Sequence, residues 1–158
     1  MGSLNYSTLV INDDPRAVGR ITEVASALGE SVAVVDSWDS FLGVYSPEVR
    51  CIVIELSMPA FCGIEVLRHL ARVDCRATLV LTTDVSADLL RLAQQLATAL
   101  GLVVADTLMA PYESGRLQAA MIAATDPAVP SRVRQAACAP CNAEAAQDRG
   151  GSSVRGGH

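Results

Sequence analysis

The chain has 158 residues, of which 51% are hydrophobic and 18% charged, and its formal net charge is −5. This length accommodates one domain with an appendage, and such a domain buries enough surface to be stable without disulfides or metals. The negative charge offers no attraction to nucleic acid phosphates or anionic lipid, so we expect neither nucleic acid nor a membrane as a partner. All twelve basic residues are arginines, because the sequence contains no lysine.

The sequence carries no signal for membrane insertion or export. No apolar run reaches the roughly eighteen residues of a membrane span, and residues 1–6 lack the charged-then-apolar layout of a signal peptide. We therefore expect a cytoplasmic protein. The five cysteines are an odd number without the spacing of a disulfide framework, which predicts free thiols.

Short runs rich in β-branched residues alternate along the chain with stretches of helical periodicity. The predicted strands are 8–11, 31–35, 51–54, 78–81 and 102–104, with 108–109 as a possible continuation of the last. The predicted helices are 15–28, 37–45, 64–70, 86–100 and 113–124. This alternation predicts an α/β fold of (βα)5 type, a doubly wound parallel five-stranded sheet between two helical layers. We expect its strands to be buried on both faces.

Chemistry-bearing residues follow several of the predicted strands. In parallel α/β sheets, ligands and reactive groups gather at the carboxyl ends of the strands. Asp13, Glu55, Thr82 and Ala110 all fall at such ends. The sequence therefore predicts that these four positions share one edge of the sheet.

Residues 126–158 differ in kind from the preceding 125. Pro, Gly, Ala, Ser and Arg dominate this segment and neither strand nor helix periodicity is present, which predicts a linker or disordered tail after a domain spanning 1–125. The tail holds the pair Cys138 and Cys141, whose Cys-x-x-Cys spacing is typical of a thiol redox site or of half of a zinc site. The sequence has no second pair of this kind, and the thiol or metal module is kept as an alternative. A linker after a complete domain favours a chain that continues into a further domain.

The residues at the strand ends form a pattern that resembles the receiver domain of two-component response regulators. The segment 54–63, Ile-Glu-Leu-Ser-Met-Pro-Ala-Phe-Cys-Gly, is similar to the family's Asp-Leu-x-Met-Pro-x-x-Asp-Gly segment. The turn 12–15 resembles the family's acidic turn, Thr82 the hydroxyl of the fourth strand, and 110–111 the Lys-Pro pair. The resemblance covers about residues 9–124. It implies a flavodoxin/CheY-like, three-layer α/β/α sandwich.

Among receivers, the chain is most similar to those that precede cyclic-di-GMP phosphodiesterase domains of the EAL type. This narrower resemblance rests on Leu100-Gly101-Leu102 and on the long approach to Ala110-Pro111. It implies a role in two-component or cyclic-di-GMP signalling.

The resemblance also implies that the phosphorylation chemistry is lost. Glu55 stands at the phosphoacceptor position in place of aspartate, and Ala110 stands at the position of the lysine that balances charge. Asn12 replaces one acid of the acidic pocket, which leaves Asp13 and Asp14. Asp13 is then the candidate ligand of a weak magnesium site, since Mg²⁺ is held poorly without charged ligands. We otherwise expect no cofactor.

Two further positions bear on switching. Thr82 keeps the family's switch hydroxyl, whereas Thr107 stands where switching receivers have an aromatic residue. We therefore expect a static signalling surface. We also expect Glu55→Gln to be as stable as the unchanged protein or slightly more so, because it removes like-charge repulsion from Asp13 and Asp14.

The leading hypothesis is a non-enzymatic, phosphorylation-independent receiver that acts as a regulatory interaction or dimerisation module. Its expected partner is another protein, a fused output domain or a second copy, contacted through the face at about residues 89–121. The first alternative is an active receiver that a histidine kinase phosphorylates at Glu55 or Asp13. The second alternative is the thiol or metal module at Cys138 and Cys141.

Overall fold

The computed structural model describes residues 6–59 and 61–125, which contain five β-strands alternating with five α-helices. The strands are β1 Thr8–Ile11, β2 Val32–Val35, β3 Cys51–Glu55, β4 Thr78–Thr83 and β5 Val103–Met109. The helices are α1 Pro15–Ala27, α2 Trp38–Val44, α3 Gly63–Arg72, α4 Ala87–Ala99 and α5 Ser114–Thr125.

The five strands form one parallel sheet in the order β2-β1-β3-β4-β5. The order reverses beside β1, as in the flavodoxin-like class of doubly wound sheets. The predicted α/β fold with a five-stranded parallel sheet is thus confirmed. In this register Glu55 at the end of β3 lies opposite Thr82 of β4.

Alternate side chains of the central strands enter two separate cores on the two faces of the sheet. Ile52 and Ile54 of β3 belong to the core that also contains Phe41 of α2 and Leu67 of α3. Val53 belongs to the other core. That second core is completed by Ile21 of α1 and by Leu117 and Met121 of α5. Burial on both faces therefore fixes the central strands and their carboxyl ends.

The two edge strands differ from the sequence-based expectation. β2 and β5 contain half-exposed residues, so the prediction that all strands are buried on both faces is wrong for them, because an edge strand lacks one neighbour. β5 is also one continuous strand and not two short runs. Its pairing with β4 skips Ala105, and this irregularity interrupts the apolar pattern that the prediction relied on.

Helix caps fix where the loops of the sheet edge turn into helices. Asp14 caps α1, with its Oδ1 accepting the Arg16 N–H at 3.1 Å and Pro15 at the first helical position. Ser86 caps α4 by accepting the Leu89 N–H at 3.1 Å. Each cap satisfies a helix N–H group that would otherwise lack a partner.

Several sequence-based expectations concern the rest of the chain. In the part that the structure describes, no helix is both long and apolar enough to cross a membrane. Cys51, Cys62 and Cys75 are free cysteines. The tail 126–158, including Cys138 and Cys141, lies outside the described residues, so the expected linker and the thiol or metal site stay predictions.

Candidate functional site

The residues singled out in the sequence lie at the carboxyl edge of the sheet. Glu55 is the last residue of β3, and Thr82 occupies the paired position of β4. The turn 12–14 follows β1, and Ala110 follows β5. The Ala110 N–H donates to the Thr83 carbonyl oxygen at 2.8 Å, which ties the end of β5 to β4.

The Glu55 carboxylate is hydrogen-bonded through both of its oxygens. Thr82 is fully buried, and its hydroxyl donates to Glu55 Oε1 at 2.8 Å, a shorter contact than its 3.3 Å to the Ile54 carbonyl oxygen. Glu55 Oε2 accepts from the Ser57 hydroxyl and, at 3.3 Å, from the Ser57 N–H. Neutral donors therefore satisfy this half-buried carboxylate.

Ser57 also connects Glu55 to a second carboxylate. Its hydroxyl lies 3.0 Å from Oδ1 of Asp84, in the loop between β4 and α4. Neither Ser57 nor Asp84 was identified as a site residue from the sequence. The available signal was the spacing: a serine two residues after an acid can turn its hydroxyl back onto that acid.

Side chains of the acidic turn after β1 form hydrogen bonds with nearby backbone N–H groups. Asn12 is only 2% exposed, and its Oδ1 accepts the Asp14 N–H at 2.9 Å. Asp14 caps α1, whereas Asp13 is exposed and, in the described part of the chain, its carboxylate has no hydrogen bond. These hydrogen bonds therefore stabilise the turn as the start of α1.

A magnesium site at Asp13 stays a prediction. Among residues 6–59 and 61–125 there is no group of three or more His, Cys, Asp or Glu side chains that could hold a metal ion. Octahedral Mg²⁺ needs charged oxygen ligands that are free to turn toward it. Of the site carboxylates, Glu55 and Asp14 accept hydrogen bonds, and Asp13 accepts none from the described residues.

Ala110 stands where the resemblance implies a lysine, and its methyl side chain carries no charge. None of the ion pairs formed by the described residues includes Glu55. Two residues after Ala110, Tyr112 accepts a 2.9 Å hydrogen bond from Arg20 at its carbonyl oxygen, and the Arg20 guanidinium lies 5.9 Å from its ring centroid. Burial raises the pKa of the Tyr112 phenol, and the negative charge of Glu55 raises it further.

Thr107 lies within β5 and is half-buried, opposite Leu81 of β4. Its N–H donates to Asp106 Oδ1 at 2.8 Å, and its carbonyl oxygen accepts from Arg116 of α5 at 3.4 Å. The backbone of this residue is therefore fixed by its neighbours. The short side chain offers no large ring that could move between two positions.

No family model and no curated protein matches the chain, whereas many solved structures match its fold. A response regulator from Colwellia psychrerythraea is 27% identical, with a TM-score of 0.62 over 71% of this chain and 90% of that chain. The signal receiver domain of a response regulator from Bermanella marisrubri is 20% identical, with a TM-score of 0.61 over 75% of this chain and 97% of that chain. The chain folds as a response-regulator receiver domain.

A third similar structure belongs to a longer protein. The response regulator DrrB from Thermotoga maritima is 20% identical with a TM-score of 0.61, and the match covers 74% of this chain but 51% of that one. The matched part of this chain therefore spans about half of the length of DrrB.

Proposed function

We propose that this receiver domain is phosphorylation-independent and acts as a regulatory protein-interaction module, not as an enzyme. The observation that carries the proposal is the 2.8 Å hydrogen bond from Thr82 to Glu55. In a working receiver this hydroxyl donates to a phosphoryl oxygen. Here the glutamate, longer than aspartate by one methylene, already accepts it.

The charges of the pocket support the same proposal. A phosphoryl group adds between one and two negative charges, which working receivers balance with Mg²⁺ and a lysine. This pocket has Ala110 at the lysine position and Asn12 in place of an acid. Added charge would meet Asp13 and Asp14, and among the described residues no cation pairs with Glu55, so the phosphorylated form is disfavoured.

The surface formed by α4, β5 and α5 supports a role in protein binding. Leu92 of α4 is 62% exposed and Met109 of β5 is 38% exposed. Met109 lines the same pocket as Arg116, which pairs with Asp106. Exposed apolar side chains accompanied by charged ones are typical of protein contacts. At this surface we expect a fused output domain, a separate protein or a second copy of the chain as the partner. An output domain of the EAL type remains a prediction.

The proposal is tested by intact-mass measurement after incubation with phosphoramidate and Mg²⁺. We expect no phosphoryl adduct on the unchanged protein. The matched control is the triple variant Asn12→Asp, Glu55→Asp, Ala110→Lys, which restores the family's residues and should become phosphorylated at position 55. A stoichiometric adduct on Glu55 or Asp13 of the unchanged protein would overturn the proposal and support an active receiver with a histidine kinase partner.

A further inference from the structure

The amino edge of the sheet, where the strands begin, carries an ion pair between Glu30 and Arg50. Arg50 Nη2 lies 3.0 Å from Oε1 and 3.1 Å from Oε2 of Glu30, so it contacts both carboxylate oxygens. The Ser7 hydroxyl also donates to Glu30 Oε1. The Glu30 side chain is 11% exposed and the Arg50 side chain is 50% exposed. The carboxylate is therefore largely withdrawn from water, whereas the guanidinium is half-exposed.

Backbone hydrogen bonds hold both partners of this ion pair in place. Glu30 follows α1, and its N–H donates to the Ala25 carbonyl oxygen at 2.9 Å. Arg50 precedes β3, and its N–H donates to the Ser7 carbonyl oxygen at 2.9 Å. The Arg50 carbonyl oxygen accepts from the Thr78 N–H at 2.9 Å. The Arg50 side chain therefore extends from a backbone that is fixed between β1 and β4.

The second arm of the Arg50 guanidinium reaches the end of α5. Its Nη1 donates to the Thr125 carbonyl oxygen at 3.4 Å. The last carbonyl groups of a helix lack partners within the helix, and a cation at that end also interacts favourably with the helix dipole. The last turn of α5 contains no basic residue of its own. Arg50 thus supplies α5 with a cation from another element of the fold.

We propose that Glu30, Arg50 and Thr125 form a clasp that holds the last turn of α5 to the amino edge of the sheet. Glu30 orients the guanidinium, and Arg50 holds the helix end from which residues 126–158 continue. Loss of the ion pair loosens this turn while the rest of the domain stays folded. The clasp lies at the edge of the sheet opposite to the candidate site, so it does not depend on the proposed function.

The first test is local hydrogen exchange of the amides at residues 121–125, measured in the full chain. We expect Arg50→Ala to speed this exchange about two- to fivefold, which is the size of a charge effect at a helix end. Glu30→Gln should speed it by less, because glutamine still accepts one hydrogen bond from Arg50. The variant with both changes should match Arg50→Ala, since Glu30 acts through Arg50. Unchanged exchange in Arg50→Ala, or independent effects of the two changes, would overturn the clasp.

Two controls separate the clasp from a general loss of stability. The amides at residues 79–82 of the buried strand β4 report global unfolding, so faster exchange confined to residues 121–125 belongs to the last turn. The matched variant is Asp106→Asn, which removes the ion pair with Arg116 near the start of the same helix. It should leave residues 121–125 unchanged. An increase as large as that of Arg50→Ala would show that α5 responds to any lost ion pair, which would overturn the clasp.

A charge swap separates the ion pair from the contact with α5. Glu30→Arg together with Arg50→Glu keeps two opposite charges, but it places a carboxylate at the end of α5. A carboxylate has no proton to donate to the Thr125 carbonyl oxygen, and the helix dipole disfavours it there. We expect the exchange at residues 121–125 to stay as fast as in Arg50→Ala. Recovery of slow exchange would show that the turn is held without the contact to Thr125, contrary to the proposal.

A salt titration tests the unchanged protein, so its outcome does not depend on whether a variant folds. Raising NaCl from about 0.1 M to about 1 M shortens the screening length from about 10 Å to about 3 Å. Because Arg50 is half-exposed, we expect faster exchange at residues 121–125 than at 0.1 M, with residues 79–82 unchanged. The acceleration should be smaller in Glu30→Gln, which has lost the ion pair. Exchange of the last turn that is insensitive to salt would contradict the clasp.

Discussion

The extra methylene of Glu55 determines what its carboxylate can contact. One oxygen reaches the buried Thr82 hydroxyl, and the other reaches Ser57. Three donors, two hydroxyls and one backbone N–H, converge on this carboxylate, and hydrogen bonds to a charged group are among the stronger ones in proteins. Glu55 is thus a structural part of the site.

These contacts change the expected result of Glu55→Gln. The amide of glutamine keeps one accepting oxygen and turns an NH₂ group toward either Thr82 or the Ser57 N–H. We therefore expect a loss of about 1–2 kcal/mol in the free energy of unfolding, measured by urea denaturation. The sequence alone favoured unchanged or slightly higher stability, from repulsion by Asp13 and Asp14. Equal or higher stability of the variant would show that repulsion outweighs the hydrogen bonds.

Part of the site could be predicted from the sequence, and part could not. The sequence identified Glu55, Thr82 and Ala110, because the carboxyl ends of parallel strands lie at one edge of the sheet for any loop conformation. Ser57 and Asp84 were not found, because their contact depends on the conformations of two loops and on distances across the fold. No local pattern specifies such a contact.

At the scale of elements, the loop from β3 to α3 is held by a close approach at Gly63. A Cβ at this position would lie 2.8 Å from both the Cα and the Cδ2 of Leu56. The same loop carries Phe61, which is buried against the ring of Trp38 at 5.0 Å. The start of α3 therefore depends on the absence of a side chain at residue 63.

We expect Gly63→Ala to lower the free energy of unfolding by about 1–3 kcal/mol, because the backbone of Leu56 must move. The fluorescence of Trp38, the single tryptophan of the chain, should change with it. Gly19→Ala in α1 is the matched control, since nothing lies within 4 Å of its Cβ position. It should stabilise by up to about 1 kcal/mol through helix propensity. Similar effects of both variants would contradict the close packing of Gly63.

The helices and strands were predicted well where their signals are local. The proline after the acidic turn starts α1, and β-branched runs identify β1, β3 and β4. β5 was split in the prediction because the irregularity at Ala105 and the polar residues after it break the apolar run. Pairing with β4 supplies the missing hydrogen bonds, and this is a property of the sheet that a single strand sequence does not contain.

At the scale of the whole molecule, five buried or half-buried groups have pKa values raised in the same direction. Burial is the largest cause for each, and for Cys51 it raises the pKa of the thiol to about 12. The others are Tyr6, Tyr45, Cys75 and Tyr112. The folded state therefore keeps protons that the unfolded state releases in alkaline solution.

The stability of the folded state should consequently fall as the pH rises. The contribution of Cys51 is complete below its unfolded pKa of 9.0 and is lost as the pH approaches the folded value of about 12. For each group that keeps its proton only in the folded state, the free energy of unfolding falls by at most about 1.4 kcal/mol per unit rise in pH. Urea denaturation from about pH 8 to about pH 11 measures this slope, and Cys51→Ala should reduce it. A stability that is constant over this range would contradict the burial of these groups.

The strand order has a consequence for how the protein is made. β2 pairs with one side of β1, and β3 then pairs with the other. β4 adds to β3, and β5 adds to β4. No strand has to insert between two that are already paired, so the sheet can grow in the order in which a ribosome releases the chain. Each strand end of the pocket is then completed in turn, with Glu55 in place before Thr82 arrives beside it.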